Sequence, residues 1–168
     1  MRLFVGLGNP GKKYEKTRHN TGWLVLDSLQ IPNTKFEFQK HFNAEVLKIG
    51  DAILAKPQTF MNDSGVSVSS LAAFYKIPAS DIYIIHDDLD IRLGEYKIQK
   101  GKGPKGHNGI LSIEEKLGTN DFWRVRIGIE NREVENKISG EVYTLQEFEE
   151  EEIPIIKNVI DEVVKALI

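Results

Sequence analysis

Four short stretches concentrate side chains whose types and spacing could do chemistry. The first, Gly6-Leu7-Gly8-Asn9-Pro10-Gly11, follows an apolar run and leads on to Arg18-His19-Asn20. Glycines at this spacing after a strand fit a dinucleotide fingerprint. That fingerprint also needs a helix with an apolar face after the third glycine and an acid on a strand ~20 residues further on. Here Lys12, Lys13, Tyr14, Glu15 and Lys16 follow, and no clear strand carries such an acid. The glycines and proline therefore read as a sharply turned loop that fixes Asn9 and presents His19. A lone histidine in that place also suits a surface or capping residue.

The second stretch, His86-Asp87-Asp88-Leu89-Asp90, crowds three carboxylates and an imidazole at the end of a buried run. Crowded carboxylates repel, so they bind a cation, orient a base or face solvent. Asp87, Asp88 and Asp90 offer the oxygens of a hard-cation site, but no second acid-rich cluster completes one. The only histidines are His19, His41, His86 and His107, without a His-Glu-x-x-His spacing. A histidine-orienting carboxylate and a solvated turn stay open beside the cation.

Residues Lys100 to Gly109, KGKGPKGHNG, join glycines to positive charge and end in His107-Asn108 before a helix. Glycine lets backbone amides approach a ligand, lysine contacts phosphate, and a helix N-terminus favours an anion. No Lys-Ser or Lys-Thr follows at Walker spacing, which excludes a nucleotide-hydrolysing P-loop. The fourth stretch, KPQTFMNDSG from Lys56 to Gly65, sets Phe60, Met61 and Asn62 in the turn before a helix. Phe60 and Met61 suit core anchors as well as ligand contacts, and Asn62 suits a helix cap. No Gly-x-Ser-x-Gly elbow occurs, so a serine nucleophile has no motif.

Composition bounds the frame that must position these residues. The chain has 168 residues, 40% hydrophobic and 28% charged, which fits one domain with a real core and excludes disorder or a fibre. No apolar run approaches the ~18 residues of a membrane span, and the N-terminal run is too short for a signal sequence. A cytoplasmic protein without a membrane partner is expected. The absence of cysteine removes disulfides, thiolate metal sites and thiol nucleophiles. The net charge of -3 is uneven: residues 133–168 hold ten acids against three bases, so the remainder is net basic. Lys97, Lys100, Lys102 and Lys105 form the densest basic stretch, with no acid from Tyr96 to Ile113. Phosphates respond to such local fields more than to overall charge.

Periodicity predicts strands at 2–7, 42–49, 52–55, 82–85, 95–99 and 123–129, with a tight turn at Gly50-Asp51. It predicts helices at 21–30, 64–75, 110–117 and 155–167, the second capped by Asn62, Asp63 or Ser64. Strands interleaved with helices imply an α/β fold, a single domain over residues 1–168 with a mixed twisted β-sheet and helices on both faces. In such folds the site lies in loops after strand ends, which singles out Gly8 to Asn20, His86 to Asp90 and Gly101 to Asn108.

In combination and order, the segments FVGLGNPGKKYEKTRHNTG, KPQTFMNDSG, YIIHDDLDIRLGEYKI, GHNGILSIEEKLG and WRVRIGI resemble the bacterial-type peptidyl-tRNA hydrolases. The segments run from Phe4 to Ile129, and the resemblance is taken to cover residues 3 to about 148 of this chain. The resemblance implies hydrolysis of the ester between a peptide's C-terminus and the 3' ribose of tRNA, recycling tRNA from dropped chains. It implies water attack with no cofactor and no metal. His19 would be the general base, Asp87 its histidine partner, and Asn62 and Asn108, with Asn9 beside them, the amides that hold water, carbonyl or oxyanion. Tyr14 and Phe60 would stack on the terminal adenine or the peptide, with Met61 and His107 also in the substrate site. Lys97, Lys100, Lys102 and Lys105, with Arg124 or Arg126, would contact phosphates of the acceptor stem. Arg126 matches the family's phosphate-contacting arginine, whereas the family's lysine partner falls at Gln99. Gly103-Pro104-Lys105-Gly106 departs from the family's Gly-His-Gly-Gly, so a gating histidine is absent. The partner is peptidyl-tRNA, through its acceptor stem, CCA end and attached peptide, and a monomer suffices for one acceptor arm. The acidic Glu147 to Glu152 stretch should face away from RNA. A non-catalytic RNA-binding module or a metal-dependent phosphodiesterase are the competing classes; the former would not need His19 near Asp87.

Overall fold

In the computed structural model, which describes residues 1–135 and 137–167, seven strands form one sheet. They are β1 (Arg2–Gly6), β2 (Glu37–Gln39), β3 (Ala44–Ile49), β4 (Ala52–Pro57), β5 (Ile82–Arg92), β6 (Tyr96–Lys100) and β7 (Trp123–Glu130). Their spatial order is β2-β3-β4-β1-β5-β7-β6. The central four, β4, β1, β5 and β7, run parallel, while β2, β3 and β6 are antiparallel to their neighbours. The continuous apolar runs Leu3-Phe4-Val5 and Ile82-Tyr83-Ile84-Ile85 suit central strands covered on both faces. Between β3 and β4, Gly50 takes the positive φ of 55° that the tight turn requires.

Helices cover both faces, as the mixed α/β reading requires. On one side α1 (Thr21–Asp27) and α5 (Ile153–Leu167) set Val25, Leu26, Ile156, Val159, Ile160 and Val163 against Ile85, Val125 and Ile127. On the other, α2 (Ser64–Tyr75) and α3 (Asn108–Leu117) set Val68, Leu71, Ile110 and Ile113 against Leu3, Val5, Ile53, Ile82 and Ile84. The alternation of a strand explains the division: Ile84 and Ile85 are neighbours that feed opposite cores. Among the described residues no helix is long and apolar enough to cross a membrane.

Three local expectations change, and two short elements were not expected. The stretch His86 to Asp90 is not a loop: β5 continues to Arg92, paired with β7 through Asp88, because its polar side chains find buried partners. Helix α1 stops at Asp27 rather than Gln30; Ser28 takes the cap position and its Oγ donates to Val25 O at 2.6 Å. Helix α2 has no side-chain cap from Asn62, Asp63 or Ser64, because it grows directly out of the single turn Met61–Asp63. The three-residue β2 and the five-residue α4 (Gly140–Thr144) are too short to show a period.

Close backbone approach fixes the start of α1. A Cβ on Gly22 would collide with Ile85 O and Leu7 N, and one on Gly6 with Gly22 O. The first turn of α1 thus lies directly on β1 and β5, and the residues before it are held at the strand ends. Gly22→Ala should therefore destabilise the fold by about 1–3 kcal/mol, the usual cost of overpacking. A thermal melt reads this as a fall of about 2–4 °C per kcal/mol, and an unchanged midpoint would contradict the close packing.

Candidate active site

The C-terminal ends of the parallel strands and the turns that follow them enclose a cleft of about 620 Å³. Asn9 arrives from the end of β1, His19 from the turn Arg18–Asn20 before α1, and Asp87 from within β5. Phe60, Met61 and Asn62 come from the turn before α2, and His107 and Asn108 from the start of α3. Tyr14 and Lys105 also line the walls. Of the residues singled out in sequence, Lys97, Lys100, Lys102 and Arg126 lie outside this lining.

Asp87 is the centre of the cleft's polar floor. Its carboxylate is 1% exposed and is bonded through both oxygens, to His19 Nδ1 at 2.8 Å and His107 Nε2 at 3.0 Å. The partners assign the tautomers. His107 Nδ1 accepts the Ile110 N–H at 3.3 Å, capping α3, so its Nε2 carries the proton donated to Asp87. His19 donates from Nδ1, which leaves Nε2 as the free nitrogen of a residue lining the cleft.

The electrostatics follow from burial and this shared charge. Burial disfavours the charged form of His19, but the charge and hydrogen bond of Asp87 outweigh it and hold the pKa above 6.5. Burial would raise Asp87, yet His19 and His107 together keep it well below the usual carboxylate range. Behind them His86 donates from Nδ1 to the Asp87 carbonyl at 2.7 Å and meets the His107 ring edge-on at 5.0 Å. Burial, then the neighbouring His107, pushes His86 down to about 3, so it stays neutral.

His19, Asp87 and His107 place three donor atoms within 4.8 Å of one another, the set among the described residues that a metal ion would use. The donor chemistry does not suit it. With His107 Nδ1 taken by Ile110, a cation would have to displace the Nε2 proton and break the cap. Nor do the three aspartates of the second stretch converge. Asp88 accepts from Arg126 Nε at 2.7 Å and Asp90 N–H at 2.8 Å, and Asp90 is exposed.

Three amides border the cleft. Asn9 is buried and held on both sides: its N–H donates to Asn20 Oδ1 at 2.9 Å, Asn20 Nδ2 donates to Asn9 O at 3.0 Å, and its Oδ1 accepts the Met61 N–H at 2.8 Å. Asn9 Nδ2 is left with no partner among the described residues. Asn62 and Asn108 are exposed on the cleft wall. Met61 is buried, Phe60 is 60% exposed, and Tyr14 is half-buried with Lys13 Nζ 4.9 Å from its ring centroid.

The basic residues divide sharply. Lys97, Lys102 and Lys105 are exposed, and Lys100 lies 3.6 Å from Asp121. Arg126 binds Asp88 and Gln99. Arg124 is 1% exposed and is spent inside the fold, on Glu114 and on the carbonyls of Gly103, Asn120 and Phe122. Of the two arginines, only Arg126 keeps an open edge.

Sequence reading missed two supports of His19. Asn20 is fully buried and holds Asn9; the only signal was its place beside the histidine. Arg18 is buried with Glu152 at 2.6 Å, donates to Tyr143 O at 3.1 Å and lies 3.8 Å above the Tyr143 ring. Glu152 ends the acidic stretch expected to face away from RNA, and its own side chain turns into the fold, 2% exposed. Burial opposes its charge, while bonds from Glu149 N–H, Asn131 and Arg18 lower its pKa nonetheless.

A family model described as peptidyl-tRNA hydrolase matches residues 3–168. The chain is 43% identical to the peptidyl-tRNA hydrolase of Desulfitobacterium hafniense (strain Y51), covering 99% of this chain and 91% of that one. It is 46% identical to that of Neisseria meningitidis serogroup C (strain 053442), covering 84% and 77%. Among solved structures, the peptidyl-tRNA hydrolase of Acinetobacter baumannii superposes with a TM-score of 0.88 at 31% identity, over 98% of this chain and 85% of that one.

The electrostatics predict an NMR titration in which His19 titrates above 6.5 while His86 stays neutral throughout that range. Asp87→Asn removes what raises His19 and leaves burial, so its titration should move below 6.5. A midpoint unchanged or higher in the variant would refute the assigned pair.

Proposed function

Since the chain belongs to the peptidyl-tRNA hydrolase family and hydrolyses the ester of peptidyl-tRNA, we propose that it does so by attack of a water that His19 activates. The observation that carries this reading is the His19 Nδ1 to Asp87 bond at 2.8 Å, with Nε2 left free in the cleft. A bare RNA-binding module would not need that pair, and the metal-dependent class gains nothing from a protonated His107 Nε2.

His19 Nε2 takes a proton as the water oxygen attacks the ester carbonyl, and Asp87 stabilises the resulting imidazolium. The carbonyl oxygen becomes an oxyanion that the amides of Asn9, Asn62 and Asn108 hold; loss of one such donor costs about 100- to 1000-fold in rate. Collapse breaks the bond to the ribose 3' oxygen, which recovers the proton from His19. The new peptide carboxyl group loses its remaining proton to solvent, and peptide carboxylate and tRNA leave, with no acyl-enzyme, metal or cofactor.

His107 holds the second oxygen of Asp87 and the Met61 N–H holds Asn9 Oδ1, so both bear on substrate through neighbours. Tyr14 and Phe60 offer rings to the terminal adenine of the CCA end or to the peptide. Lys97, Lys100, Lys102, Lys105 and Arg126 take phosphates of the acceptor stem. Such an enzyme acts as a monomer in the cytoplasm, a reading supported by a family that works on products of translation.

The deciding assay is release of acetyl-amino acid from N-acetyl-aminoacyl-tRNA. Wild type should cleave it with or without EDTA and spare aminoacyl-tRNA with a free amine. His19→Ala should lose about 100- to 10,000-fold, the usual contribution of a general base. The acid limb of kcat/KM should lie above pH 6.5, since protonation of His19 removes the base. Loss of activity in EDTA, or a peptidyl-enzyme trapped by rapid quench, would overturn the mechanism. Affinity should also fall steeply with salt; a salt-insensitive KM would refute the phosphate contacts.

A further inference from the structure

Asp88 follows the carboxylate that holds His19, yet it projects to the opposite face of β5 and takes no part in the pair. Its side chain is fully buried, and its two oxygens are committed separately. Oδ2 accepts from Arg126 Nε at 2.7 Å, and Oδ1 accepts from the Asp90 N–H at 2.8 Å, where β5 shifts register against β7. From the other side Gln99 Oε1 accepts from Arg126 Nη1 at 2.7 Å. The guanidinium lies against Gly103, where a Cβ would meet it. It is therefore fixed by two acceptors and a backbone, while its side chain stays 11% exposed. Guanidinium has five N–H donors, so two bonds leave others for a ligand. Lys97 is the cross-strand partner of Arg126 and stands on the same face. Like charges so placed repel, and Asp88 is the buried acid that offsets them.

We propose that Asp88 and Gln99 are positioning residues that fix Arg126 as a receptor for an RNA backbone phosphate, with Lys97 as its second cation. This rests on reading Arg126 as a phosphate contact. Gln99 serves because an amide oxygen accepts; a lysine at that place has no acceptor to give the guanidinium. Asp88 serves because only an ionised carboxylate can accept both bonds. An asparagine there would turn its NH2 toward either the Arg126 or the Asp90 donor.

The test compares N-acetyl-aminoacyl-tRNA with a phosphate-free substrate, the 3' N-acetyl-aminoacyl ester of adenosine. Asp88→Asn should raise KM for the tRNA substrate about tenfold, the worth of a hydrogen bond to a charged group. It should lower the salt slope by about one, as loss of a phosphate contact does. It should leave kcat, and all cleavage of the adenosine ester, unchanged. In an Arg126→Ala background it should add nothing to KM. Gln99→Met, remote from β5, should raise KM in the same direction and keeps the proposal testable if Asp88→Asn folds poorly. If Arg126→Ala itself leaves KM unchanged, the phosphate reading fails. If Arg126→Ala raises KM while Asp88→Asn and Gln99→Met do not, the positioning role is overturned. A fall in kcat on both substrates alike would also overturn it, since Asp88 would then only support the strand.

Discussion

The carboxylate of Asp87 is buried toward the C-terminal ends of the sheet's parallel strands and shared between two imidazoles, and the surrounding architecture serves that arrangement. A charge taken out of water is stable only when paired and hydrogen-bonded. Here both oxygens are satisfied, by His19 from the turn before α1 and by His107 from the start of α3. The two helices lie on opposite faces of the sheet, so the bonds can form only if each helix begins at the strand ends. Gly22 against β1 and β5 sets one start, and the His107 cap on Ile110 sets the other.

The histidines differ because their other contacts differ. His107 is tied at both nitrogens and cannot offer a base without breaking its cap. His19 is tied at one, which leaves the second open to the cleft. His86 is tied through Nδ1 and buried, and it gains no charge in the range where His19 does. Folding therefore draws opposite pH dependences from them. The lowered pKa of His86 favours the fold above 6.5 and loses that as pH falls toward about 3; the raised pKa of His19 adds stability below 6.5 that is lost as pH rises through its folded value.

Much of the chain's organisation was legible in order and periodicity. Strands interleaved with helices foretold the mixed sheet with helices on both faces, and Gly50-Asp51 foretold the hairpin. The nine residues chosen as catalytic or substrate-binding, from Asn9 to Asn108, do line the cleft, and so does Lys105, chosen as a phosphate contact. The continuation of β5 through His86 to Arg92 was not legible, because polar residues in a strand read as a loop until their buried partners are known. For the same reason the buried pairing of Glu152 could not be read: its counter-ion Arg18 is 134 positions away.

The sequence by itself determined which groups were available: one cleft's worth of imidazole, carboxylate and amide, no thiol, and a basic loop within an acidic chain. Those follow from composition and local spacing, which the chain carries at every stage of folding. Only the tertiary structure decided how protons and charges are shared. It decided that Asp87 serves two histidines, that Arg124 is spent inside while Arg126 keeps an open edge, and that Asp88 turns away from Asp87. Hydrogen bonds reach only about 3 Å, so partners far apart in sequence cannot be assigned until the sheet and its helices bring them together.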